Sequence, residues 1–258
     1  MRILITNDDG IHSPGLDALE SIARAISDDV WVVAPEYDQS GVAHSLSLND
    51  PLRLRMVGER HFAVKGTPTD CVILGARHVM DGKPPELLLS GVNRGHNLGE
   101  DVTYSGTVAG AIEGALLGIP AIALSQAYPP GHRDQVSYAT AEAHGARVIR
   151  QVLDAGLPPG GLVNINFPNC GPDEVAGVRA TRQGQRPTWQ AKVERRLDGR
   201  HNPYFWIVYG HEIGEPGADT DLRAIADRCI SVTPLKIDFT DHAMLERLAG
   251  AFPAAPET

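Results

Sequence analysis

A chain of 258 residues, 42% hydrophobic and 21% charged, has the make-up of an ordinary globular protein and enough length to bury one large core. Its formal net charge of −9 works against a protein that lives on nucleic-acid backbones, where affinity comes from clustered Lys and Arg, so no nucleic-acid polymer is expected as a partner. Cys71, Cys170 and Cys229 are odd in number and widely spaced, which points to neither a disulfide framework nor a zinc knuckle and fits a reducing compartment.

The first apolar run is too short, and too closely followed by Asn7, Asp8 and Asp9, to serve as a secretory leader. No later stretch approaches the roughly 20 apolar residues that span a bilayer. The expected location is cytoplasmic, with no membrane partner. Residues 3–6, 30–34, 87–90, 121–125 and 162–167 are short runs of mostly apolar residues with many branched side chains, as fully buried strands are. Between the first two, Leu16, Leu19, Ile22, Ala23 and Ile26 recur at helical spacing and define one apolar face. A second helix opens on Thr67, Pro68, Thr69 and Asp70, with Thr67 as cap and Pro68 at the first position, and is expected to run to about Met80.

A third helix begins near Thr107. Gly106, Gly110, Gly114 and Gly118 recur every fourth residue, a bare stripe for close packing in the core, and Pro120 stops it. A fourth is expected over residues 135–153. Beyond Phe167 turn formers and charges dominate, interrupted by Tyr204, Phe205, Trp206 and Tyr209, which read as hairpins with subunit contacts or, alternatively, as plain core. Residues 230–235 read as a strand, and Ala243, Leu245 and Leu248 mark a short closing helix before Pro253 and Pro256. The rhythm is that of an α/β fold with a mostly parallel sheet between helical layers.

In such a sheet ligands bind beyond the carboxyl ends of the strands, where three loops stand out. Asn7, Asp8, Asp9 and Gly10 put adjacent acids directly after a buried strand, which serves either a solvated turn or a cation. The loop from Pro35 to Gly41 carries Ser40, which alone reads as an ordinary turn residue. The segment from Ser90 to Gly99 is dense in glycine and amides, including Asn93 and Asn97, whose oxygens suit a hard cation. Just downstream Ser105, Gly106 and Thr107 open the glycine-striped helix, either as simple caps or as an anion cradle. Together, acids, neutral oxygens and an anion cradle select Mg, Mn or Ca over zinc and imply phosphoryl chemistry. The spacings GxGxxG, in its dinucleotide context, and GxxxxGK[ST] are not met.

Four blocks, ILITNDDGIHSPGL (3–16), APEYDQSGVAHSLSL (34–48), GTPTDCV (66–72) and SGVNRGHNLGEDVTYSGTVAGAIEG (90–114), carry a specific resemblance. The chain resembles the SurE stationary-phase survival proteins, a family of metal-dependent 5′-nucleotidases, over most of its length and more weakly between Gly171 and Gly217. The resemblance implies a Rossmann-like three-layer sandwich, one domain over 1–258, with a protruding β-hairpin arm at 182–217 that mediates assembly into homodimers or homotetramers. It implies hydrolysis of nucleoside 5′- and 3′-monophosphates, with short polyphosphate as a further substrate of some members. Carried over by motif, one divalent cation is held by Asp8, Asp9, Ser40 and Asn93. Asn97, Ser105, Gly106 and Thr107 fall in the phosphate-binding part, and Asp8, Asp9 and Asn97 are the catalytic candidates. His44 stands where the family commonly has a smaller polar residue. A non-catalytic regulator that binds a metal or a nucleotide on the same fold is the alternative.

Overall fold

The protein is described by a computed structural model over residues 1–80, 82–186, 191–209 and 215–252, with the side chains of Ala191 and Tyr209 outside that description. In chain order the strands are β1 (Arg2–Thr6), β2 (Asp29–Pro35), β3 (Arg53–Gly58), β4 (His61–Lys65), β5 (Leu87–Arg94), β6 (Ala121–Gln126), β7 (Leu162–Phe167), β8 (Gly177–Ala180), β9 (Ala191–Leu197), β10 (Pro203–Tyr209) and β11 (Cys229–Leu235). The helices are α1 (Pro14–Arg24), α2 (Pro68–Leu74), α3 (Gly106–Leu116), α4 (Ala139–Asp154), α5 (Asp221–Ala226) and α6 (His242–Ala251).

All five apolar runs are strands, and they sit at the centre of a nine-stranded sheet ordered β3-β4-β2-β1-β5-β6-β7-β11-β8. From β4 to β7 every neighbouring pair is parallel, whereas β3 runs antiparallel to β4, and β11 runs antiparallel to β7 and parallel to β8. The order reverses at β1: the chain moves outward through β2 on one side and through β5, β6 and β7 on the other. That reversal opens a crevice at the carboxyl ends of β1 and β5.

Side-chain alternation splits the core into two layers. Ile3, Ile5, Val30, Leu87, Leu89 and Ile122 pack with Leu19 and Ile22 of α1 and Val148 and Ile149 of α4. Leu4, Val33, Leu88 and Ala123 pack on the opposite face with Val72 of α2 and Val108 and Ala111 of α3. The glycine stripe sets the depth of that second layer. A Cβ at Gly114 would lie 2.2 Å from Leu88 Cδ2, and one at Gly110 would lie 2.9 Å from Ser90 Oγ, so α3 rests directly on β5. Gly118 plays a different part: its φ of +79° turns the chain out of the helix, which ends at Leu116, ahead of Pro120.

Several boundaries differ from expectation. The Thr67 cap is completed by a capping box with Asp70, and the helix continues past α2 as one π turn, Gly75–Val79, where Gly75 presses on Leu4. The fourth helix begins at Ala139 rather than 135, because residues Arg133–Gln135 form a separate 3-10 turn and Val136 is extended. Beyond β7, β9 and β10 form a two-stranded antiparallel ribbon that, among the described residues, is paired with no other strand. Of the expected arm, residues 187–190 and 210–214 and the Tyr209 side chain lie outside the described residues, as do Pro253 and Pro256.

Candidate active site

The first loop is locked by its own hydrogen bonds. Asn7 Nδ2 donates to Gly10 O at 2.9 Å and to Ser13 Oγ at 2.7 Å, Gly10 takes a φ of +99°, and Ser13 then caps α1. Asp8 and Asp9 are thereby held in the crevice. The second loop is pinned across it, since Gln39 N–H donates to Asp8 O at 2.7 Å.

Asp8 is buried and the Asp9 side chain is 3% exposed, and each is fixed by a partner 85 or 99 residues away. Thr107 Oγ1 donates to Asp8 Oδ1 at 2.6 Å. The Arg94 N–H, at the end of β5, donates to Asp9 Oδ2 at 3.0 Å. Asp9 Oδ1 is buried and has no hydrogen-bond partner; Arg94 and Arg133 bring one guanidinium nitrogen each to 3.7 and 3.9 Å from it. Burial pushes the Asp8 carboxyl up to about 7, a rise that the Thr107 hydrogen bond opposes and the neighbouring Asp9 charge reinforces. Asp9 is also raised, by burial first, with the Arg94 backbone and charge acting against it.

Ser40 stands beside this pair, with its N–H on Asp38 Oδ1 at 2.8 Å and its hydroxyl 3.3 Å from Arg133 Nη2. Asn93 spends its amide nitrogen on Gly95 O at 2.8 Å, so its oxygen is the donor atom it has left to offer. Asn97 is the most firmly held of the candidates. Its N–H donates to Asn166 Oδ1, its side-chain nitrogen to Ser125 Oγ, and its carbonyl accepts from Asn164 and Asn166.

At the amino end of α3 both hydroxyls are engaged. Ser105 Oγ accepts from Val108 N–H as the helix cap, and the Thr107 hydroxyl is committed to Asp8. Gly106 lies against Asp8, where a Cβ would come within 2.9 Å of Asp8 Oδ2. First-turn N–H groups of a helix have no intrahelical acceptor, so this end remains an anion-binding feature.

A cleft of about 490 Å³ gathers Asp8, Ser40, Asn93, Asn97 and Ser105 in its lining. Asp9 opens on an adjoining cleft of about 460 Å³ with Asp38, Arg133 and Tyr138. A separate cavity of about 720 Å³ lies between α1 and β4 around Glu20 and His61 and is lined by no site candidate. Sequence reasoning missed Arg94, Arg133, Asp38, Asn164 and Asn166. The two asparagines carried a readable signal, polar residues alternating with Val163 and Ile165 inside a buried strand, each of which needs a partner. His44, left without a role by the sequence, pairs with Glu113 of α3 at 2.9 Å.

A parallel α/β sheet whose switch point joins buried acids, amide side chains and a helix amino end belongs to the class of α/β proteins that handle a phosphate group at that crevice. Residues 3–190 match the family described as Survival protein SurE, and the chain belongs to that family. It is 62% identical to 5′-nucleotidase SurE of Methylorubrum populi over 98% of this chain and all of that one. It is 61% identical, over the same shares, to 5′-nucleotidase SurE of Azorhizobium caulinodans. The crystal structure of the SurE protein from Aquifex aeolicus superimposes with a TM-score of 0.84 at 37% identity, covering 97% of this chain and 99% of that one.

Proposed function

We propose that this 5′-nucleotidase hydrolyses nucleoside 5′-monophosphates, with 3′-monophosphates and short polyphosphate as further substrates, and that it holds one divalent cation (Mg, Mn or Ca) per chain between Asp8, Asp9, Ser40 and Asn93. The observation that carries this reading is Asp9 Oδ1, a buried carboxylate oxygen without a hydrogen-bond partner, one residue away from a second buried acid. Adjacent buried acids repel, and a cation between them would remove both the repulsion and the unmet acceptor. The donors are all oxygen, and among the described residues no three His, Cys, Asp or Glu side chains form a group that could hold a metal by themselves. Such a set suits a hard cation.

When bound, that cation supplies Lewis-acid polarisation of the phosphate and offsets its charge. The chain's own residues orient the substrate and handle the proton. The N–H groups of Gly106 and Thr107 and the amide of Asn97 receive phosphate oxygens, the latter braced by Asn164, Asn166 and Ser125. Asp8 or Asp9 takes the proton of the attacking water, and the Thr107 hydroxyl keeps the Asp8 carboxylate turned for that task.

We also place the protein in the cytoplasm, as a homodimer or homotetramer assembled through the arm. Supporting this are three free cysteines and an arm whose Val193, Phe205 and Trp206 are exposed. No helix among the described residues is long and apolar enough to cross a membrane. The test is phosphate release from a panel of 5′- and 3′-monophosphates and tripolyphosphate, with Mg, Mn or Ca, before and after chelation. Release that stops with chelator and returns with added metal is expected; release that ignores the chelator removes the cation from the account.

A further inference from the structure

Resting on that reading, we propose that the outer part of the same cleft is the nucleoside subsite, with Tyr128 as the surface on which the base stacks and strand β10 of the arm, through Ile207 and Val208, as a second apolar wall. The cleft is chemically mixed. Asp8, Ser40, Asn93, Asn97 and Ser105 share its 490 Å³ space with the ionisable Arg94, Arg133 and Arg186 and with the aromatic and branched side chains of Tyr104, Tyr128, Ile207 and Val208. A phosphate alone gains nothing from aromatic and branched side chains. A flat π system joined to a phosphate uses both ends.

The position of Tyr128 is built rather than incidental. Its ring lies on the backbone of Gly95, where a Cβ would stand 3.0 Å from Tyr128 Cε1, and Gly95 holds a φ of +121° with its N–H on Gln126 O at 2.9 Å. Gly95 is two residues from Asn93 and two from Asn97, so the ring rests on the loop that carries both. On the arm, Ile207 is 65% exposed and Val208 38%, apolar surface bordering a polar site. Stacking of this kind accepts any base, because every base presents a π face. The subsite therefore selects nucleosides over simple alkyl phosphates while discriminating little among bases, and the arm becomes part of substrate binding.

Two measurements on the full chain test this. In NMR titrations with the products as separate ligands, Tyr128→Ala is expected to weaken adenosine about tenfold, the size of one lost stacking partner, and to leave inorganic phosphate within about twofold. Tyr128→Phe should restore adenosine. In turnover, the same Ala variant should raise KM for AMP with little change in kcat and should leave hydrolysis of glycerol 2-phosphate unaltered. Parallel loss of phosphate and adenosine, or no rescue by Phe, would overturn the subsite. Absence of AMP turnover in the unaltered enzyme would instead sink the proposed function, and the product titrations would still decide the subsite.

Discussion

The crevice at β1 and β5 and the β9–β10 ribbon break opposite rules. In the crevice, charged and polar side chains from loops as far as 99 residues apart are buried and bonded to one another. In the ribbon, Val193, Phe205, Trp206 and Ile207 are each more than half exposed, and among the described residues the two strands have no other strand beside them. A lone two-stranded ribbon is at best marginally stable in water, and the apolar strip of Val193, Phe205 and Ile207 on one of its faces, with Trp206 on the other, is a surface awaiting a cover. Buried acids that repel are retained at a cost in folding free energy, and exposed apolar surface at a cost in solubility. Each departure marks where the molecule meets something outside its own chain.

The largest expected effect comes from removing one buried charge. Asp8→Asn should lower kcat/KM for AMP by about 10³-fold, the scale of a lost electrostatic contact in an active site. The same substitution should leave the thermal midpoint in chelator unchanged or raised, since it relieves the repulsion with Asp9. Activity that survives would dissolve the contrast, because the crevice would then be ordinary buried polar structure. A drop in the midpoint of several degrees would show that the Asp8–Thr107 contact is retained for folding instead.

A smaller effect separates the two regions by pH. The folded Asp8 carboxyl sits at about 7 against the ordinary 3.8, so between those values the folded state holds a proton that the unfolded chain releases. Chelated protein should therefore lose stability as pH rises from about 4 to 7, by at most about 4 kcal/mol at 1.36 kcal/mol per unit, and level off above. His61 adds a loss of the same sign above its ordinary value of 6.5; although burial opposes it, the Glu20 carboxylate 2.9 Å away holds its imidazole up. Denaturant midpoints across that range for Asp8→Asn should lose most of this slope, keeping the share that the raised Asp9 carboxyl contributes and, above pH 6.5, the His61 part. An unchanged slope would mean that Asp8 is ionised throughout. Saturating divalent metal should also flatten the profile.

The crevice was far more legible in the sequence than the periphery. Strands β1, β2, β5, β6 and β7 are covered on both faces, so their branched apolar runs stand out, and their carboxyl-terminal loops could be placed side by side before any coordinates. The β3–β4 hairpin was not read: Arg53, Arg55 and Met56 are exposed, and an edge strand needs no clean pattern. The short strand β8, 4 residues, and helix α5, 6 residues, give too few positions for a period to show. Within the site, Asp8, Asp9, Ser40, Asn93 and Asn97 lie in recognisable blocks, whereas Arg133 reaches Asp9 only because the loop after β6 folds back over the crevice. Long side chains that arrive from an irregular loop leave no spacing to read.

The smallest effect on the chain itself should come from the ribbon. Phe205 is 60% exposed and faces Arg195 across the hairpin, so Phe205→Asp removes no buried contact and adds an ion-pair partner on the neighbouring strand. Monomer stability is expected to stay within about 0.5 kcal/mol, as for surface substitutions generally. If the strip is an assembly surface, burying an aspartate there is costly, and sedimentation should show a lower mass than for the unaltered protein at the same concentration. Hydrolysis of glycerol 2-phosphate, which needs only the inner cleft, should change less than about twofold, in the ordinary range for a surface change. A mass that does not move would leave the apolar strip with one employment, the wall that Ile207 and Val208 give to the cleft, and would tie the ribbon to the crevice instead of setting it apart.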